Sequence, residues 1–218
     1  MKQIQLLLFV LYLLSGLQLY SQSEEYKGKP WNDKPQVIPG KIECEYYDLG
    51  GEGIAYHDSD SVNNGSGKLN PANGDFLNEF RMKEGVDISY TKDNNIDNNG
   101  FGLVAPKMKQ LYVGWTEPGE WINYTVEVKQ TGNYKVGLMY TSNSNGGISL
   151  AFDGKDLTGT LNIPTTHNDK DTVAWRQWHH WNYIETLATV HLEAGKHVLT
   201  LHTVRNGNMN YDFLEFKQ

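Results

Sequence analysis

From residue 40 onward the chain repeats one pattern: apolar residues occupy every second position over short runs that end in turn signals. Ile122, Tyr124, Val126 and Val128 alternate with Trp121, Asn123, Thr125 and Glu127, and Tyr134, Val136, Leu138 and Tyr140 repeat the arrangement. Ile148, Leu150 and Phe152 continue it, followed by Ala188, Val190 and Leu192, by Leu199 and Leu201, and by the stretch 213–216. Successive side chains of a strand point to opposite faces, so a period of two buries one face and leaves the other to solvent. Thr131-Gly132-Asn133, Asp153-Gly154 and Ala194-Gly195-Lys196 supply turns between the runs. No segment sustains the i, i+3, i+4, i+7 spacing of an amphipathic helix, so helices are expected to be absent or single turns. Half-apolar sheets must cover one another, and the pattern predicts an all-β protein, an antiparallel β-sandwich. The polar stretches 58–78, 91–110, 141–147 and 162–174 are too long for simple hairpins, and long loops on a rigid sandwich are where function usually sits.

The residues before this pattern read differently. Lys2 precedes an apolar run over 4–20 that Gln5, Ser15, Gly16 and Gln18 dilute, the shape of a secretory signal. Its uninterrupted part falls short of the roughly 20 residues that span a bilayer. The expectation is a signal peptide over 1–22, cleaved near Ser21 or Gln22, and a secreted or extracytoplasmic protein without membrane insertion. Residues 23–39 are polar with three prolines and read as a linker or N-terminal arm, with Trp31 expected to dock on the domain at 40–218. The formal charge of −7 opposes nucleic acid as a partner. The single cysteine, Cys44, can form no intrachain disulfide, so a core or a metal must hold the fold.

Two sets of residues carry chemistry. Trp175, Trp178 and Trp181 cluster in AWRQWHHWNY (174–183), directly after a polar loop. Sugars offer flat CH faces rimmed by hydroxyls, so an aromatic platform beside amides or carboxylates suits them. On a strand, Trp175 and Trp181 would share a face and Trp178 would oppose them. Glu43 and Glu45 lie at i, i+2, on one face about 7 Å apart, and Asp212 lies on the final strand. Oxygen-only donors favour a hard cation, Ca²⁺ over Mg²⁺ or Zn²⁺. The histidines show no HExxH spacing, and Glu117, Glu120, Asp153, Asp156 and Glu185 form no pair that spacing singles out for acid–base work.

The segments IECEYYDLGGEGIAYHDSD (42–60), FRMKEGVDI (80–88), YVGWTEPGEWINYTVEV (112–128), AFDGKDLTG (151–159), LEAGKHVLTLH (192–202) and NMNYDFLEF (208–216) resemble, in order and spacing, the family 6 carbohydrate-binding modules. The resemblance implies a jelly-roll β-sandwich that binds polysaccharide or oligosaccharide without cleaving it and works alongside glycoside hydrolases. Trp175 then takes the place of the sugar-stacking tryptophan and Trp178 that of a packed one. Phe80, with a core position as its alternative, supplies the opposite wall, and Asn210 the ligand-bonding amide, with Asn208 next in line. The resemblance also implies a structural Ca²⁺ held by Glu43, Glu45, Asp212 and the carbonyl of Arg81, tying the first strand to the last away from the aromatic loop. Trp121 reads as a packed tryptophan, although a site on the sheet face would use it. A small jelly-roll glycoside hydrolase or polysaccharide lyase is the alternative function.

Overall fold

Two stacked sheets realise the alternation, in a computed structural model that describes residues 26–205 and 208–218; the expected signal segment lies outside them. The seven-stranded sheet runs β1 (Gln36–Ile38), β8 (Trp121–Val128), β14 (Gly195–Arg205), β10 (Gly146–Phe152), β11 (Lys155–Asp156), with β3 (Tyr56–His57) on β8 and β12 (Leu161–Ile163) on β10. The six-stranded sheet runs β13 (Asn182–Leu192), β9 (Gly132–Ser142), β15 (Met209–Lys217), β7 (Leu111–Val113), β6 (Ile88–Tyr90), with β2 (Gly40–Glu43) also on β15. A short ribbon of β4 (Ser66–Gly67) and β5 (Asn70–Pro71) completes the strands. Nearly all pairings are antiparallel, and the fold is the predicted sandwich. Ile122, Tyr124, Val126 and Val128 face Tyr134, Val136, Leu138 and Tyr140 in one buried core. Each such side chain contributes about 1.5–3 kcal/mol on leaving water.

From Tyr26 onward the polar segment is part of the fold, as an N-terminal arm would be and a free linker would not. β1 pairs in parallel with β8 from Gln36↔Val126 to Ile38↔Val128. Lys29 exchanges both backbone hydrogen bonds with Leu49, and the Tyr26 hydroxyl donates to Asp48 at 2.9 Å. Trp31 docks as expected, its ring stacked on Tyr46 with centroids 6.4 Å apart. Three residues of strand between prolines are too short to show a period, which hid this segment's role.

Two features of the six-stranded sheet position the sites. Residues 91–110 strap its outer face: Leu103 and Val104 donate backbone N–H groups to the Trp181 carbonyl, and Trp181 packs with Tyr112 and Met139 in a second small core. On β15, β2 pairs with residues 213–216 while β7 pairs only with Tyr211. Asp212 falls between them, at a bulge where the register against β9 shifts.

Candidate functional site

A cavity of about 380 Å³ opens at one end of the sandwich, within the range of small-ligand sites. Residues 174–179 form a 3₁₀ helix rather than a strand. In that helix side chains at i and i+3 eclipse, so Trp175 and Trp178 share a side and both line the cavity. This corrects the packed role expected of Trp178; Trp181, fully buried, is the packed tryptophan. The helix is braced on both flanks. Arg176 makes a two-pronged contact with Asp171, His180 Nε2 lies 2.8 Å from the same carboxylate, and the Gln177 amide holds Asn168 and the Asp171 carbonyl. The arginine holds the Asp171 carboxyl well below the usual range. The Trp178 carbonyl accepts from Thr141 Oγ1 on β9 and Asn210 Nδ2 on β15, residues paired across the sheet.

A third tryptophan, Trp115, also lines the cavity; the sequence reading did not single it out although it lies in the quoted VGWT motif. Trp115 has φ 51°, a left-handed conformation that costs a bulky residue on the order of 1–3 kcal/mol and clusters at functional sites. Thr116 secures it: its hydroxyl donates to the Met209 carbonyl at 2.9 Å, and its carbonyl accepts the Asn208 N–H at 2.7 Å. Trp175 is 54 % and Trp115 40 % exposed, so two indoles stand open to solvent on walls of one cavity. Tyr112 and Leu69 complete the apolar lining, His179 adds an imidazole, and Asn208 and Asn210 supply amides. Asn210 uses its NH₂ on Trp178, which leaves its oxygen, without a hydrogen bond among the described residues, as an acceptor.

Phe80 is not at this cavity. It is 3 % exposed and packs edge-on against Trp31 and Phe76, each with centroids 5.2 Å away, and against Tyr46. The arm that was expected to be a tether supplies Trp31 to cover it. Trp121 is half-buried beside His57, and the adjoining outward residues Asn123 and Thr125 are covered by segment 48–56 through Asp48 and the Ile54 carbonyl. A second depression of about 450 Å³ on the seven-stranded sheet is lined by Ser149, Asp156 and His202 among others, with no Trp, Tyr or Phe.

The carboxylates of Glu43, Glu45 and Asp212 offer oxygens all within 4.8 Å of one another, where β2 and β7 part along β15. Glu45 Oε2 and Asp212 Oδ1 are buried without a hydrogen bond. Burial and the neighbouring carboxylates push Asp212 up to about 7 and Glu45 well above the usual carboxylate range, and burial pushes Glu43 up. Buried charges without partners are unfavourable, and a dication would supply the missing one. The donor set therefore fits a hard, oxygen-liganded cation such as Ca²⁺. The Gln110 amide, 3.4 Å from Glu43 Oε2, borders the cluster. Arg81 does not join it: its carbonyl accepts from the Glu84 N–H and Asn63 Nδ2, and its guanidinium donates to the Tyr47 and Asp48 carbonyls. Nor is the cluster remote from the aromatic loop, because Asp212 and Asn210 are two residues apart on β15, about 7 Å along the strand.

A family profile described as "Carbohydrate binding module (family 6)" matches residues 80–218. Among solved structures, the C-terminal family 6 module of LamC, a marine laminarinase from Zobellia galactanivorans, superposes with TM-score 0.50 at 18% identity, over 82% of this chain and 98% of that one. A β-1,3-glucan-binding family 6 module from Bacillus halodurans superposes with TM-score 0.50 at 14% identity, over 85% of this chain and 100% of that one. Comparison with curated proteins finds no match.

Proposed function

This chain belongs to carbohydrate-binding module family 6, and on that premise we propose that it is a secreted, non-catalytic module that holds a plant or algal type polysaccharide in the Trp115–Trp175–Trp178 cavity. The observation that carries this reading is the pair of exposed indoles, Trp175 and Trp115, on the walls of one pocket. Stacking against sugar CH faces gives such rings an occupant, and the Asn210 amide oxygen gives a hydroxyl an acceptor. No carboxylate lines the cavity among the described residues, which favours binding over the paired-acid chemistry of glycoside hydrolysis. The two superposed modules, one carried by a laminarinase and one binding β-1,3-glucan, make β-glucan the first glycan to try.

Ca²⁺ at Glu43, Glu45 and Asp212 would neutralise the buried carboxylates and join β2 to β15, a structural role with no part in chemistry. Export through residues 1–22 would place the module outside the cell, working alongside separate glycoside hydrolases. The test is affinity electrophoresis against laminarin, xylan, cellulose derivatives and agar, with parent and Trp175→Ala proteins and an assay for new reducing ends. Retardation of the parent alone, with no new ends, supports the reading. New ends would establish the hydrolase or lyase alternative, equal retardation of both proteins would move the site away from Trp175, and a parent retarded by no glycan would refute carbohydrate binding.

A further inference from the structure

His179 is the one imidazole in the wall of the aromatic cavity. Its neighbour Asp97 comes from the strap over 91–110, is 2 % exposed, and accepts the Trp181 Nε1–H at 2.7 Å and the Lys92 backbone N–H at 2.6 Å. Both are groups that can only donate, so Asp97 acts there as an acceptor. His179 Nδ1 lies 2.8 Å from the same Asp97 Oδ1 and therefore carries the proton. In the neutral ring Nε2 is then a bare acceptor. It has no hydrogen-bond partner among the described residues, and the His179 side chain, 16 % exposed, lines the cavity. The backbone is fixed as well, since the His179 carbonyl accepts from Asn99 Nδ2 at 2.9 Å. The ring stands edge-on to Trp175, centroids 5.8 Å apart at 79°. A sugar lying on the Trp175 face projects its hydroxyls around its rim, beside that imidazole.

Resting on the reading of this cavity as the sugar site, we propose that His179 is a specificity-determining residue: Nε2 accepts a hydrogen bond from a rim hydroxyl of the stacked sugar and selects glycans in which that hydroxyl is free. A free hydroxyl donates to the nitrogen. A sulfated or methylated oxygen has no proton to give, and it sets lone pair against lone pair while leaving Nε2 desolvated and unpaired. Asp97 is the positioning residue that fixes which nitrogen faces the ligand.

The test compares parent, His179→Asn, His179→Gln and Trp175→Ala proteins by calorimetry with laminarihexaose and a sulfated laminarihexaose. Asparagine keeps a donor near the position of Nδ1 and removes Nε2; glutamine keeps an acceptor near the position of Nε2. His179→Asn should lose about fivefold or more for the neutral probe, narrow the neutral-over-sulfated preference, and be largely rescued in His179→Gln. Nitrogen-15 spectra of the parent give a readout independent of variant folding: Nε2 should carry no proton and should shift on adding laminarihexaose. If His179→Asn binds both probes like the parent while Trp175→Ala does not, the pocket stands and the role of His179 falls. If Trp175→Ala binds like the parent, or the parent binds neither probe, the pocket reading falls first and this role with it. A protonated Nε2, or a resonance unmoved by the sugar, also overturns the proposal.

Discussion

Asn210 and Asp212 stand two residues apart on β15, yet the first borders an open apolar cavity and the second a closed knot of charge. At the cavity, large side chains that would gain from burial are left in solvent, and a left-handed tryptophan is held there by a threonine bridge. At the cluster, Glu45 Oε2 and Asp212 Oδ1, oxygens that would gain from solvent, are buried without partners. Each region lacks what the other could not supply: one an apolar face to stack upon, the other a positive charge. On the proposed reading, the contrast separates ligand recognition from the stability of the fold, with both built on one strand.

The largest effect that sharpens this contrast belongs to neither site. Phe80→Ala empties a fully enclosed position among Trp31, Tyr46 and Phe76, and should destabilise the fold by about 3–5 kcal/mol with glycan affinity unchanged in the folded protein. Thermal unfolding and calorimetry measure the two quantities, and a loss of affinity without loss of stability would return Phe80 to the binding site. Chelation comes next. Withdrawing a cation present at a hundredfold excess over its Kd removes about 2.7 kcal/mol, a drop in Tm of roughly 5–10 °C for a chain of this size. An unchanged Tm in EDTA would break the cluster's half of the contrast.

The same cluster has a pH signature. Asp212 is pushed up to about 7, with Glu45 and Glu43 also raised, so the metal-free fold binds more protons than the unfolded chain from about pH 4 to 7. These groups stabilise the metal-free protein below that window, and the contribution is lost as pH rises through it. Added Ca²⁺ should reverse the trend, since it binds the ionised carboxylates. Unfolding curves in EDTA and in Ca²⁺ across that range would show the crossing, and parallel curves would argue against a cation site.

Trp175→Ala should cost about 1–3 kcal/mol of glycan affinity, tenfold or more in most of that range, with Tm little changed because the indole is half out in solvent. The smallest expected effect is of ligand length. On the proposed reading, a cavity of about 380 Å³ would take one or two sugar units, so short oligosaccharides should bind nearly as well as polymer. Affinity that climbs beyond about four units would point instead to the sheet around Trp121.

The sequence shows the sandwich because strand periodicity is local: Ile122 to Val128 and Tyr134 to Tyr140 state their inward faces directly. Glu43, Glu45 and Asp212 were named in the sequence and do meet, but not by the expected strand parity: β2 ends at Glu43, and Glu45 reaches the cluster from the turn that follows, closed by the Tyr46 N–H on the Glu43 carbonyl. The cavity was legible only in part. Trp175 and Asn210 were found, but Trp178 was misjudged because a 3₁₀ turn replaces period two with period three. Trp115 was missed because its placement depends on a positive φ and a bridge from Thr116 to Met209, 93 residues apart in sequence. The roles of Phe80 and Arg81 turn on the docked arm and on segment 47–48, long-range packing that no local pattern records.

The chain has six tryptophans, and their indole N–H resonances test the central claim directly. In a titration of the nitrogen-15 labelled protein with laminarihexaose, Trp115, Trp175 and Trp178 should shift together and saturably. Trp31, Trp121 and Trp181, in the docked arm, on the sheet face and in the second core, should stay in place. Movement of Trp121 with Trp115, Trp175 and Trp178 unmoved would put the glycan on the sheet face and contradict the account.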